Sequence, residues 1–302
     1  MEGIMERRIG IGALGVLLAL GSSAAFAQTA PANQSTQSNQ SNQSQPAQQQ
    51  GSKNQPGTAI SNTTGLTLDA APPPVSAEEE AAYKAFDALP NSDVAKKISA
   101  GEEFLQKYPE SRYRPPIYSI LTVAYVQTGQ SAKAFDIGDK EIQLKPDDVQ
   151  TLAILAQTIP RAMNGSTPNP EQQLEKAETY GKRALDIVPT LPKPAALTDE
   201  KFAAAKSQTL SMAHSGLGLV DIRRGKYAEA IPELEQSVKL VPDPDPVNLY
   251  LLGLADVKTS HFEEAQAAYD KCAAIPSSLQ QACKSGSEEA KKQGSTQLSA
   301  PH

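Results

Sequence analysis

The sequence predicts an all-α solenoid of antiparallel helix pairs, preceded by a disordered N-terminal linker. Three observations lead there. From about residue 76 to residue 292, apolar residues recur every three or four positions, the period of an amphipathic helix, and no run alternates as a strand does. Along that stretch a skeleton of glycine or serine, aromatic residue, alanine, spaced aliphatics and proline returns several times, so the helices come in similar units. The first 75 residues differ abruptly in composition and hold too little apolar surface to build a core.

Residues 1–27 have the order of a secretory signal: Arg7 and Arg8, an apolar run from Ile9 to Leu20, then Ala25-Phe26-Ala27 before Gln28. Cleavage after Ala27 is expected, which places the mature chain in the periplasm or outside the cell. An uncleaved signal retained as a membrane anchor is the alternative. No cysteine follows the apolar core, which argues against a lipid anchor, and no second apolar segment is long enough for a membrane span after cleavage. Residues 28–75 are rich in Gln, Asn, Ser, Thr and Pro, with Lys53 and Asp69 as the only charges, and are expected to be a disordered linker. A Gln/Asn-rich interaction segment is the other reading of the same composition.

The net charge of the 302 residues is -6, with no Trp and no basic tract, so nucleic acid is excluded as a natural partner. Removing residues 1–27 leaves that charge unchanged, because two arginines and two glutamates go together.

The helical part begins with Glu79 to Leu89 and a half-unit over 92–113, in which Phe104 and Pro109 fall at repeat positions. Pro115 and Pro116 then suit a helix start. The unit is clearest in GKYAEAIPELEQSVKLVP, residues 225–242, with Gly225, Tyr227, Ala230, Leu234, Val238, Leu240 and Pro242. Gly129, Ala134, Ile142, Leu144 and Pro146 repeat it; Ala177, Ala184, Leu185, Ile187 and Pro189 repeat its second half; Ser260, Phe262, Ala265, Tyr269 and Pro276 form a further copy. Each glycine suits a left-handed turn that ends one helix and admits the next, and each proline stops the second helix, so the unit is a helical hairpin. First helices lie upstream, marked by Tyr118, Leu121 and Tyr125, by Leu152, Leu155 and Ile159, by His214, Leu217 and Gly218, and by Leu249, Leu252 and Gly253. Thr198 is placed to cap a long helix from about Asp199 to Arg224. Pro232, one turn into its helix, deletes the bond to the Ala228 carbonyl and predicts a slight kink. Ser278 to Lys292 is the expected C-terminal cap, and 293–302 a disordered tail.

Leu217-Gly218, Tyr227, Ala230 and Pro242, with Leu252-Gly253, Phe262 and Ala265, resemble the tetratricopeptide repeat (TPR), a 34-residue helical hairpin. The resemblance implies a right-handed superhelix of about four to five repeats over 76–292. Successive key alanines are 43, 53 and 35 residues apart, so insertions near 163–170 and 191–198 interrupt the regular spacing. The string FLQKYPESRY is also similar to helical-repeat proteins of bacterial outer-membrane assembly and cell-envelope coordination.

The same resemblance implies a scaffold that binds another protein or peptide, without catalysis. A structural spacer or assembly subunit of an envelope complex, and an enzyme, are the alternatives. Its register puts Ser119, Val123 and Val126, Ala153 and Gln157, Ser215, Leu219 and Ile222, and Tyr250, Leu254 and Val257 on a ligand-facing groove with an aliphatic floor. Gln127, Arg161, Arg223 and Lys258 would line one rim and steer acidic peptides; the plainer reading is solvated cations that complement helix C-termini.

Cys272 and Cys283 enclose AAIPSSLQQA, which in an exported chain suggests a disulfide; two buried free thiols are the alternative. Chemistry is otherwise thin. The three histidines, His214, His261 and His302, lie in no catalytic or metal motif, neither CxxC nor HExxH occurs, and no cofactor or metal is expected.

Overall fold

The computed structural model describes residues 75–298, and among them eleven α-helices, one short 3-10 turn and no strand. The expected signal segment, the linker except Val75, and residues 299–302 lie outside the described residues. The helices are α1 (Ala77–Asp87), α2 (Val94–Lys107), α3 (Arg114–Gln127), α4 (Ser131–Leu144), α5 (Val149–Ala162), α6 (Pro170–Ile187), α7 (Asp199–Arg223), α8 (Tyr227–Lys239), α9 (Pro246–Lys258), α10 (Phe262–Ala274) and α11 (Gln280–Leu298). Consecutive helices pack as five hairpins, α1–α2 to α9–α10, and α11 closes the last one.

Local chemistry sets the ends of these helices. Ser76, Asp93, Asp148, Thr198 and Asp245 accept backbone N–H groups of the first turns of α1, α2, α5, α7 and α9, satisfying donors that have no partner within the helix. Three of the hairpins turn over a single residue of positive φ, Gly129 at 71°, Gly225 at 73° and Ser260 at 65°. In each, the amide one residue later reaches back to a carbonyl of the first helix, Gln130 to Tyr125, Lys226 to Asp221 and His261 to Asp256, closing a Schellman turn. Buried Lys97 supplies a cap of another kind: its ammonium donates to the Phe86 and Asp87 carbonyls at 3.1 and 3.2 Å, and so completes the C-terminus of α1 from the neighbouring helix.

Hairpin packing follows from small residues. A Cβ on Gly218 would lie 2.7 Å from Leu234, and one on Gly253 would lie 2.9 Å from the Tyr269 ring, so the paired helices meet at van der Waals distance only because these positions are glycine. Ala134, Ala177, Ala230 and Ala265, the repeat alanines of the second helices, are all fully buried.

Two features depart from a regular stack. The α7 helix is 25 residues long, and from Ser211 to Val220 nearly every residue is buried, so it is enclosed on all sides rather than along one stripe. It meets α5 at Gly216, where a Cβ would sit 2.6 Å from the Ala156 carbonyl. Pro160, inside α5, has no N–H to offer that same carbonyl, so the close approach occurs where the helix carries an unclaimed acceptor. The second departure corrects an expectation: α11 runs to Leu298, so residues 293–298 are helical rather than tail. Gly294 lies against Phe262, and Ala290 is fully buried, so contact with α10 sustains a polar segment that has little helical signal of its own.

Cys272 and Cys283 form a disulfide that joins α10 to α11. Beside it, Tyr269 is held between Gly253 of α9 and Gly286 of α11.

Candidate partner-binding face

The first helices α5, α7 and α9 meet around one polar cluster. Arg161, late in α5, donates to Asp245 Oδ2 at 2.7 Å, to Asn248 Oδ1 at 3.0 Å and to Ser215 Oγ at 3.2 Å. Gln157 donates to the same serine at 3.0 Å, and Ser215 in turn donates to Asn248 at 2.7 Å. The network continues inward: Asn248 Nδ2 donates to Ser237 Oγ at 2.8 Å, and Ser211 Oγ donates to the Ser237 carbonyl at 2.8 Å. Ser211, Ser215, Ser237 and Asn248 are buried, whereas the side chains of Arg161 and Asp245 keep 24% and 32% of their surface exposed. The cluster therefore opens to solvent at an ion pair and is anchored below by hydrogen-bonded neutral groups.

The expected groove residues divide into two groups. Val123, Val126, Ile222, Tyr250, Leu254 and Val257 are partly buried, with Val123 and Val126 against the α5 core and Tyr250 edge-on to Tyr269 at a centroid distance of 5.7 Å. Leu219, Ala153 and Ser215 are buried, and α5 lies directly on α7 at Gly216; they are core residues and not groove floor. Leu144, at 44%, is the one large hydrophobic residue that is exposed among the described residues, so the face is not a bare aliphatic trough.

The rim is likewise divided. Arg223 donates to the carbonyls of Pro160 and Met163, each at 3.0 Å, and so caps the C-terminus of α5. Arg161 is held in the cluster, and its buried Nε has no partner. Gln127 and Lys258 are exposed at the ends of α3 and α9. Of the expected rim cations, Arg161 and Arg223 are thus bonded at joints between helices, and Lys258 is exposed at the end of α9.

Acid–base groups offer little chemistry here. His214 Nδ1 lies 2.7 Å from Glu233 Oε2, linking α7 to α8. Asp256, buried near the end of α9, has its carboxyl pushed up to about 6 by burial, with nearby His261 opposing the shift. Among the described residues no group of three or more His, Cys, Asp or Glu could hold a metal ion, and no helix is long and apolar enough to cross a membrane.

The repeat skeleton now has its contacts. Leu217 and Gly218 of α7 pair with α8 through Leu234 and buried Ala230, and Leu252 and Gly253 of α9 pair with α10 through Tyr269 and buried Ala265. The described chain is a TPR-like stack of helix pairs. No protein-family model and no curated protein matches the sequence. Solved structures similar in fold include those of TTC0263 and PilW. The crystal structure of TTC0263, a thermophilic TPR protein in Thermus thermophilus, is 18% identical, covers 74% of this chain and 100% of its own, and superposes with a TM-score of 0.43. The crystal structure of PilW, a widely conserved type IV pilus biogenesis factor, is 11% identical, covers 76% of this chain and 97% of its own, with a TM-score of 0.46. At these distances the fold rests on the helix contacts above, and nothing further is carried from either structure.

Sequence reasoning missed Asp245, Asn248, Ser211 and Ser237. A signal for three of them was present: Ser211, Ser237 and Asn248 are polar residues at helical positions otherwise given to the core, and buried polar groups in such places are hydrogen-bonded to one another.

Proposed function

We propose that the repeat region is an exported scaffold, without catalysis, that binds an extended segment of another protein in the cell envelope across the face formed by its first helices. The carrying observation is the half-open Arg161–Asp245 pair, supported by buried Ser215 and Asn248 and accompanied on the same helices by partly exposed Ile222, Leu254 and Val257. Guanidinium, carboxylate and amide groups fixed on rigid helices can engage a partner's backbone and polar side chains, while the aliphatic residues beside them supply area. The order of residues 1–27 and the disulfide both suit an oxidising compartment outside the cytoplasm.

Photo-crosslinkable residues at Leu254 and Val257, compared with one at Lys140 on α4, test the reading in cells. Partner adducts from the α9 positions are expected. Adducts only from Lys140 would favour a spacer that is held by its second helices. There Leu105, Pro109, Tyr118 and Ile137 line a shallow groove among α2, α3 and α4. Lys258→Glu should weaken capture of an acidic partner and lower its salt sensitivity without changing the melting temperature. N-terminal sequencing of the mature protein is expected to begin at Gln28.

A further inference from the structure

Glu141 is fully buried in α4, and no side chain donates a hydrogen bond to either of its carboxyl oxygens. Its place in the repeat is shared. Seven residues after the key alanines Ala134, Ala177, Ala230 and Ala265 come Glu141, Ala184, Ser237 and Cys272, and all four are fully buried. Two of them are tied to the following helix by a residue eleven positions on: Ser237 by the Asn248 amide, and Cys272 by its bond to Cys283. The corresponding residue after Glu141 is Leu152 of α5, buried and apolar. The position that locks later hairpins together therefore holds, between α4 and α5, an acid without a tie.

Apolar packing surrounds that acid: Ile142 of α4 shares a cluster with Leu152 and Leu155 of α5, while Ala134, earlier in α4, belongs to the cluster of Phe86 and Tyr125, and Val126 and Phe135 pack against both. Close to the joint, the Ser119 and Thr151 hydroxyls lie 3.4 Å apart across α3 and α5.

We infer that Glu141 makes the α4–α5 joint a proton-dependent hinge: the neutral carboxyl is tolerated inside the closed joint, and its ionisation loosens α4 from α5. Burial raises the Glu141 carboxyl from 4.5 to about 8, and Asp148 at the start of α5 adds to the rise. Lys145, at the end of α4, opposes it, as does the backbone amide of Ser119 in α3, and no charged group of α3 contributes. The closed joint consequently binds the proton more tightly than the open one. Linkage then makes opening more favourable as pH rises between the two values, by a limiting factor of about tenfold per pH unit, and flat above and below them.

Amide hydrogen exchange of the full chain between pH 5 and 8, with the intrinsic rate divided out, reads this directly. The amides of Lys145 and Leu152, bonded to the Glu141 and Asp148 carbonyls, report the joint, and that of Leu240, which caps the end of α8, is the reference. Local opening at the joint should rise with pH in the native chain and stay flat in Glu141→Gln, with Leu240 unchanged in both. Equal slopes in the two proteins, or the same slope at Leu240, would overturn the hinge. Should Glu141→Gln fail to fold, Glu141→Ala, which carries the residue found at Ala184, replaces it with the same expectation. Carbon-13 titration of the Glu141 carboxyl gives a second reading; a midpoint in the ordinary glutamate range would overturn the inference independently.

Discussion

At the scale of the residue, the turns show how a single φ angle shapes the fold. Gly129 and Gly225 take the left-handed conformation freely, while Ser260 holds φ 65° against the contact between its Cβ and the backbone. Ser260→Gly is expected to raise stability by about 0.5–1 kcal/mol in thermal or urea unfolding, and Gly225→Ala to lower it by a similar amount. An unchanged or lower midpoint for Ser260→Gly would mean that the turn stores no strain. Both glycines were legible in the sequence as turn residues. The roles of Arg161 and Arg223 were not, because a cation late in a helix looks the same whether it meets water or the carbonyls of another helix.

At the scale of the element, α5 and α7 carry the clearest case of one helix deciding the fate of another. Their contact needs Gly216 against the Ala156 backbone, and it encloses Ser215, to which Gln157 of α5 donates. Gly216→Ala should cost about 1–3 kcal/mol, since backbone cannot yield as a flexible side chain would. Urea denaturation measures this, and a loss below about 0.5 kcal/mol would show that the helices separate easily. Helix bounds themselves were legible: Thr198 caps α7 as its position implied, and the observed helix Asp199–Arg223 falls within one residue of expectation. The C-terminal end of α11 was not, because its last turns depend on Phe262 and α10 rather than on their own composition.

At the scale of the molecule, the described hairpins stack into several apolar clusters, and the last is closed by α11. A terminal repeat has no neighbour to cover its face, so a cap is required, and here it is covalently held. Reduction of Cys272–Cys283 is expected to lower stability by about 2–3 kcal/mol, the loop-closure value for so short a ring. The effect should centre on α11, with faster amide exchange there and greater solvent access to Tyr269, which lies between Gly253 and Gly286. Equal exchange in the oxidised and reduced proteins would show that packing alone holds the cap.

The sequence by itself determined the all-α class, the hairpin repeat and most helix starts, because these follow from the 3.6-residue period, capping side chains and φ preferences, all of which act within a few residues. It also placed the alanines and glycines at which paired helices meet. Only the tertiary structure decided that α7 is enclosed by its neighbours and that two rim arginines serve helix joints. It also decided that four serine and asparagine side chains form one buried network, and that Glu141 lies without a side-chain partner at the position where others are tied. These outcomes depend on which helix is brought across the gap. The insertions before α6 and α7 change that register in ways that no local pattern records.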